Sequence, residues 1–174
     1  MFPIFHVALP LIFTEIPRIK KLQFNRFALL IGSILPDLID KPLLLLGFGT
    51  GRYFSHNLLF VLISFFTLFL LSKKNLGMSL PFLCGVSIHL ILDIPYVPFF
   101  YPFILYEDIL IGEPILFWIE AYLTKPLIQI TEIVGVIFFA YILIKNRLYN
   151  TKDILLYFKG NHLQRKLELR NENN

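Results

Sequence analysis

Six side chains in this sequence have chemistry that their surroundings do not share. His6, Asp37, Asp40, His56, His89 and Asp93 all stand in or beside apolar runs. A carboxylate or imidazole at membrane depth is costly and is normally held by a partner or an ion. Asp37 and Asp40 are three residues apart, and His89 and Asp93 are four apart, so on helices each pair shares a face. His56 follows Ser55 at the start of another apolar run. Three imidazoles and three carboxylates from separate elements suit one or two divalent ions, zinc first, with iron, manganese or nickel as alternatives. Such ions activate water and stabilise a phosphoryl oxygen. The expected ligands are His6, His56, His89 and Asp93, with Asp37 or Asp40. The other aspartate would serve as general base or bridge the ions.

Each residue also has a plainer reading. A His–xxx–Asp pair can be a satisfied pair on one helix face. The LPDLID stretch can be a break between two short helices, with Asp40 capping the second. His56 alone can be an interfacial residue. Taken together, these readings require six costly residues to gather at one depth by accident. Arg52 suits either an anionic substrate group or an interfacial anchor. Ser55 and Asn57 are candidates for hydrogen bonds behind the ligands. Glu132 lies within a long apolar run and is expected to pair with another helix. Glu107 and Asp108 read as solvated loop residues, and the lone Cys84 as a small packing residue.

The elements that must position these residues follow from apolar runs and their breaks. Residues 27–48, 57–72, 79–95 and 126–144 read as principal helices, the first interrupted by Pro36 and Pro42. Residues 2–14 are too short to span unaided. Residues 49–56 read as a loop, and Pro95, Pro98 and Pro102 prevent a long helix over 95–106. Residues 108–123 suit an interfacial or re-entrant helix. The clusters at 18–26, 73–74 and 145–170 hold thirteen of the sixteen Lys and Arg. Alternating spans put all three clusters on one side, which is then cytoplasmic, and put the six candidate ligands toward the other.

Composition agrees. Hydrophobic residues make up 56% of the 174 residues and mean hydropathy is +0.69. Charged residues are 16%, against about 25% in a soluble domain, which excludes a disordered chain and disfavours a soluble one. The net charge of +4 is placed in short clusters beside apolar runs, so it encodes orientation rather than nucleic-acid binding. The expected fold is an all-α polytopic membrane bundle of four principal helices plus one interfacial helix. Residues 1–147 would form the membrane domain and 148–174 a basic cytoplasmic tail. Membrane lipid is the expected partner.

The ordered set His6, GSILPDLID, Arg52-x-x-Ser55-His56 and SIHLILD resembles the membrane-bound, metal-dependent hydrolase family that includes the YdjM-type inner-membrane proteins. The resemblance covers about residues 1–100. The family's usual Arg-Gly-x-x-His element stands here as RYFSH, without the glycine after Arg52. A remoter likeness is to zinc-dependent phospholipase C, an all-α enzyme with a similar ligand order. That likeness implies one metal on Asp37 or Asp40, His56, His89 and Asp93, and a second on His6 with Asp93 bridging. No second His–x–His–xxx–Glu set follows residue 93, so a third ion is not implied. Together these imply a hydrolase acting on a phosphoester or lipid at the non-cytoplasmic face. The rival expectations are a metal that only staples helices and a proton or cation transporter.

Overall fold

A computed structural model describes residues 3–22, 24–48, 51–106 and 114–160. The described residues form helices and loops and contain no strand. The helices are α1 (Pro3–Phe13), α2 (Pro17–Lys20), α3 (Arg26–Leu45), α4 (Leu58–Leu71), α5 (Leu76–Leu92), α6 (Pro114–Thr124), α7 (Pro126–Asn146) and α8 (Thr151–Lys159). Asparagine side chains cap three of them. Asn25, Asn57 and Asn150 accept from the backbone N–H of Ala28, Phe60 and Asp153, capping α3, α4 and α8.

The centre of the fold is the pair α3 and α5. Gly32 and Gly85 face each other there. A Cβ on Gly85 would lie 2.2 Å from the Leu29 carbonyl oxygen, and one on Gly32 would lie 2.3 Å from that of Phe82. The two backbones approach this closely only because neither residue has a side chain. Helix α1 crosses between α3 and α7, and Gly135 of α7 lies against the backbone of Phe5. One apolar cluster (Ala28, Val61, Phe82, Val86, Leu90, Val97) joins α3, α4 and α5. A second (Leu11, Leu29, Ile142, Leu148, Tyr157) joins α1, α3, α7 and α8.

The all-α expectation agrees with the structure, while the four expected spans resolve differently. Only α7, among the described residues, is both long and apolar enough to cross a bilayer, with 21 residues and a mean hydropathy of 2.3. Helix α3 has 20 residues but carries Arg26, Asp37, Asp40 and Lys41. Helix α4 stops after 14 residues and α5 after 17, or about 21 and 25 Å at 1.5 Å per residue, against about 30 Å of hydrocarbon. Their connection explains the stop. Lys73 and Lys74 adopt left-handed backbone, at φ 55° and 65°, which ends α4 and turns the chain into α5. Part of the expected interfacial segment, with Asp108 and Glu113, lies outside the described residues, as do Glu107 and His162.

Residues 148–159, expected in a polar tail, pack instead. Tyr157 is fully buried and stacks beneath Arg26. Arg26 in turn donates to the Thr14 hydroxyl and to the Tyr157 carbonyl. Glu15, also buried, accepts from Lys20 at 2.5 Å and from the Tyr157 hydroxyl at 3.1 Å. Arg26 and Lys145 lie 3.7 Å from its oxygens. Burial pushes the Glu15 carboxyl up, but the hydrogen bond and charge of Lys20, with Asn146 and Tyr157, outweigh it and leave it below the usual range. Burial pushes the Tyr157 hydroxyl up, which keeps it a neutral donor. Basic residues here bind the end of the bundle together as well as carrying its charge.

Candidate metal centre

At the other end of α3 and α5, four elements converge. Helix α3 supplies Asp37 and Asp40, the loop before α4 supplies His56, the last turn of α5 supplies His89 and Asp93, and α1 supplies His6. Ser55 fixes the loop. Its backbone N–H donates to both Asp40 oxygens at 3.1 Å, and its hydroxyl donates to the Pro36 carbonyl at 2.7 Å. The next residue, His56, is thereby brought against α3. On α5, the Gly32–Gly85 contact sets His89, one turn beyond Gly85, beside the Ser33 carbonyl.

The ring nitrogens have assigned tasks. His89 Nδ1 lies 2.7 Å from the Ser33 carbonyl oxygen, which can only accept, so Nδ1 carries the proton. His56 Nδ1 lies 2.8 Å from Asp40 Oδ2, a carboxylate already accepting from Ser55, so it also donates. With neutral rings, both Nε2 atoms are then lone-pair acceptors. They point at each other across 3.1 Å. Two buried lone pairs so placed repel unless a proton or a metal ion lies between them. Around them stand Asp37 Oδ1, 3.6 Å from His56 Nε2 and 3.9 Å from His89 Nε2, and Asp93 Oδ2, 3.6 and 3.8 Å from the same atoms. All four donors lie within 4.8 Å of one another. Donors at about 2.0–2.1 Å from a tetrahedral zinc stand about 3.3 Å apart. The donor types and their separations therefore fit a divalent ion.

The other candidates take distinct places. Asp40 lies behind His56, on its Nδ1 side, and is not one of the four donors. Its geometry fits a residue that orients a ligand rather than one that binds the ion. His6 Nε2 lies 3.2 Å from Asp93 Oδ1, the oxygen turned away from the four-donor set. Arg52 Nε lies 3.7 Å from Asp93 Oδ2, with the guanidinium 5.5 Å from the Tyr96 ring. Asn57 is spent on capping α4 and on the carbonyls of Tyr53 and Phe54. Glu132 accepts from the Phe5 backbone N–H at 3.2 Å, holding the first turn of α1 next to His6. The sequence reading did not single out Lys41, which donates to Asp37 Oδ2 at 2.5 Å, although its i,i+4 spacing was a signal. Nor did it find the Ser33 carbonyl.

The sequence profile of a family described as YdjM inner membrane protein matches residues 1–153. The chain belongs to that family. The match runs beyond the motifs near residue 100 to take in α6, α7 and the start of α8. Membership of the YdjM family makes this an inner-membrane protein, in keeping with the long apolar α7. No curated protein and no solved structure matches the chain.

Proposed function

We propose that this chain is a membrane-embedded, metal-dependent hydrolase acting on a phosphoester, with lipid as the substrate class, at the non-cytoplasmic face. One observation supports it above the rest: two buried imidazoles whose Nδ1 protons are committed and whose Nε2 lone pairs converge, with two carboxylates closing the set. Asp37, His56, His89 and Asp93 would hold the ion, zinc first, with manganese or iron as alternatives. A second ion would sit between His6 and Asp93 Oδ1. When bound, such an ion lowers the pKa of a coordinated water and polarises a phosphoryl oxygen. Asp40 and the Ser33 carbonyl keep both imidazoles in the binding tautomer. Asp37 is the donor that solvent reaches, with 15% of its side chain exposed against 0–2% for the other three, so the open side of the site, where water would be held, lies beside it.

The orientation rests on charge. Lys20, Arg26 and Lys145 gather at the end of the bundle away from the site, and Lys73–Lys74 close α4 at the end opposite His56. With those clusters cytoplasmic, the site opens outward and the C-terminal segment lies inside. The short α4 and α5 would cross with flanking lysines reaching to the interface.

A helix-stapling ion is the second reading, favoured by the presence of four protein donors, which suffice to close a structural site. The exposure of Asp37 speaks against closure. For a transporter the carboxylates would need to continue through the bundle, yet Glu132 is committed to Phe5 and Glu15 to its cationic neighbours. The test is elemental analysis of detergent-purified wild type beside His89→Ala, followed by phosphodiester and phospholipid hydrolysis assays. Stoichiometric metal, lost in the variant and required for hydrolysis, supports the proposal. Metal without hydrolysis supports the staple, and a wild type that takes up no divalent ion overturns both.

A further inference from the structure

We infer that Lys41 and Arg52 form a two-armed clamp at the mouth of the metal centre, and that the group it receives is a phosphate. The inference rests on the metal-centre reading above. Each of the two carboxylates in the donor set has a cation beside it, Lys41 on the outer oxygen of Asp37 and Arg52 near the inner oxygen of Asp93. Lys41 holds Asp37 Oδ2 at 2.5 Å, and Arg52 stands 3.7 Å from Asp93 Oδ2. The cations are the solvent-facing members: 33% of the Lys41 side chain and 27% of that of Arg52 are exposed, against 15% and 2% for their partners. They approach from different elements, Lys41 from α3 one turn after Asp37 and Arg52 from the loop that carries His56.

Charge counting decides what such a mouth attracts. With His6, His56 and His89 counted as neutral imidazoles, Asp37, Asp40 and Asp93 against Lys41 and Arg52 leave one negative charge. A divalent ion turns that into one positive charge. The loaded site therefore draws anions and the metal-free site does not. An arginine fork and a lysine ammonium, each beside a different carboxylate of the donor set, suit the several oxygens of a tetrahedral phosphate better than the two of a carboxylate. A role limited to balancing the carboxylates makes the opposite prediction about metal. Removing either cation would then alter only the hold on the ion, which a more negative donor set grips more tightly.

The experiment uses the full chain in detergent, loaded with zinc, and inorganic phosphate as probe, titrated by calorimetry. Wild type should bind phosphate with zinc and lose that binding without it. Lys41→Gln and Arg52→Gln should retain stoichiometric zinc, at equal or tighter affinity, and bind phosphate about ten-fold or more weakly. Retained zinc also shows that the variants are folded. A second arm replaces phosphate with dihexanoyl phosphatidic acid. Tighter binding of the lipid assigns the clamp to a headgroup, and equal binding assigns it to water-soluble phosphate. Zinc-loaded variants that bind phosphate as wild type does would overturn the clamp and leave the metal centre standing. Phosphate binding that ignores zinc would overturn the charge argument. A wild type that takes up no zinc would remove both readings together.

Discussion

Replacing Gly85 with alanine should damage the metal centre without touching any ligand. The added Cβ would lie 2.2 Å from the Leu29 carbonyl oxygen and 2.8 Å from the Ser33 nitrogen, whereas ordinary contact begins at 3.4 Å. Both obstacles are backbone, so no side chain can swing aside. Relief requires α3 and α5 to separate by about 1.2 Å, the shortfall between 2.2 and 3.4 Å. The bond from His89 Nδ1 to the Ser33 carbonyl, now 2.7 Å, would open toward about 3.9 Å and cease to be a hydrogen bond. Overpacking of this kind costs about 1–3 kcal/mol of stability. Loss of a partner that orients a metal-binding imidazole costs about 10–100-fold in affinity. Zinc affinity is measured by competition with a chromophoric chelator, and stability by thermal unfolding in the same detergent. Gly77→Ala is the control, because a Cβ there meets only the Asn75 side-chain oxygen, at 3.2 Å. Wild-type zinc affinity in Gly85→Ala would refute the claim that the glycine contact positions His89.

Three further outcomes are expected. Asp40→Ala should lower zinc affinity by about 10–100-fold, and Asp40→Asn by less, since its amide oxygen still accepts from His56 Nδ1; equal losses in the two, read by chelator competition, would make Asp40 a ligand after all. Glu132→Leu should cost about 1–3 kcal/mol in thermal unfolding by stranding the Phe5 N–H, and Glu132→Gln should restore most of it; no difference between them would mean that the contact is unimportant. The third concerns pH. Glu15 faces Lys20 from α2, Arg26 from α3, Lys145 from α7 and Tyr157 from α8, and its carboxyl is held below the ordinary value of 4.5. A folded value below the unfolded one gives stabilisation that is complete above that ordinary value and is lost as pH falls through the folded one. Acid unfolding should therefore be less steep in Glu15→Gln, and unchanged pH curves would disprove the coupling.

The site was legible in the sequence because its residues are out of place. A histidine or aspartate in an apolar run is conspicuous, and the i,i+3 and i,i+4 spacings already put the pairs on single faces. The division of labour was not legible. Asp37 and Asp40 share a face, and only the docking of the Ser55 loop against α3 decides that one faces the donor set and the other the back of His56. The Ser33 partner is a carbonyl, which every residue has, so no residue type could announce it. Asn57, expected behind the ligands, caps a helix because it directly precedes one. The helices were visible as apolar runs close to their observed bounds, but the left-handed backbone at Lys73 and Lys74 that turns α4 into α5 was not. The docking of α8 was hidden for a related reason: burial of Tyr157 depends on Arg26 and Glu15, more than a hundred residues away in the chain.

The grip of Glu132 on Phe5 spans 127 residues of sequence, and this bears on the order in which the protein can be made. During synthesis the segment carrying His6 emerges long before α7 exists to receive it. Helix α3, the loop before α4 and the C-terminal end of α5 hold Asp37, His56, His89 and Asp93, and these can gather first. The turn bearing His6 is seated only when Glu132 and Gly135 arrive. A nascent chain halted before residue 126 would thus present the four-donor set with α1 still unanchored, and completion of the centre would wait for the last long helix to be inserted.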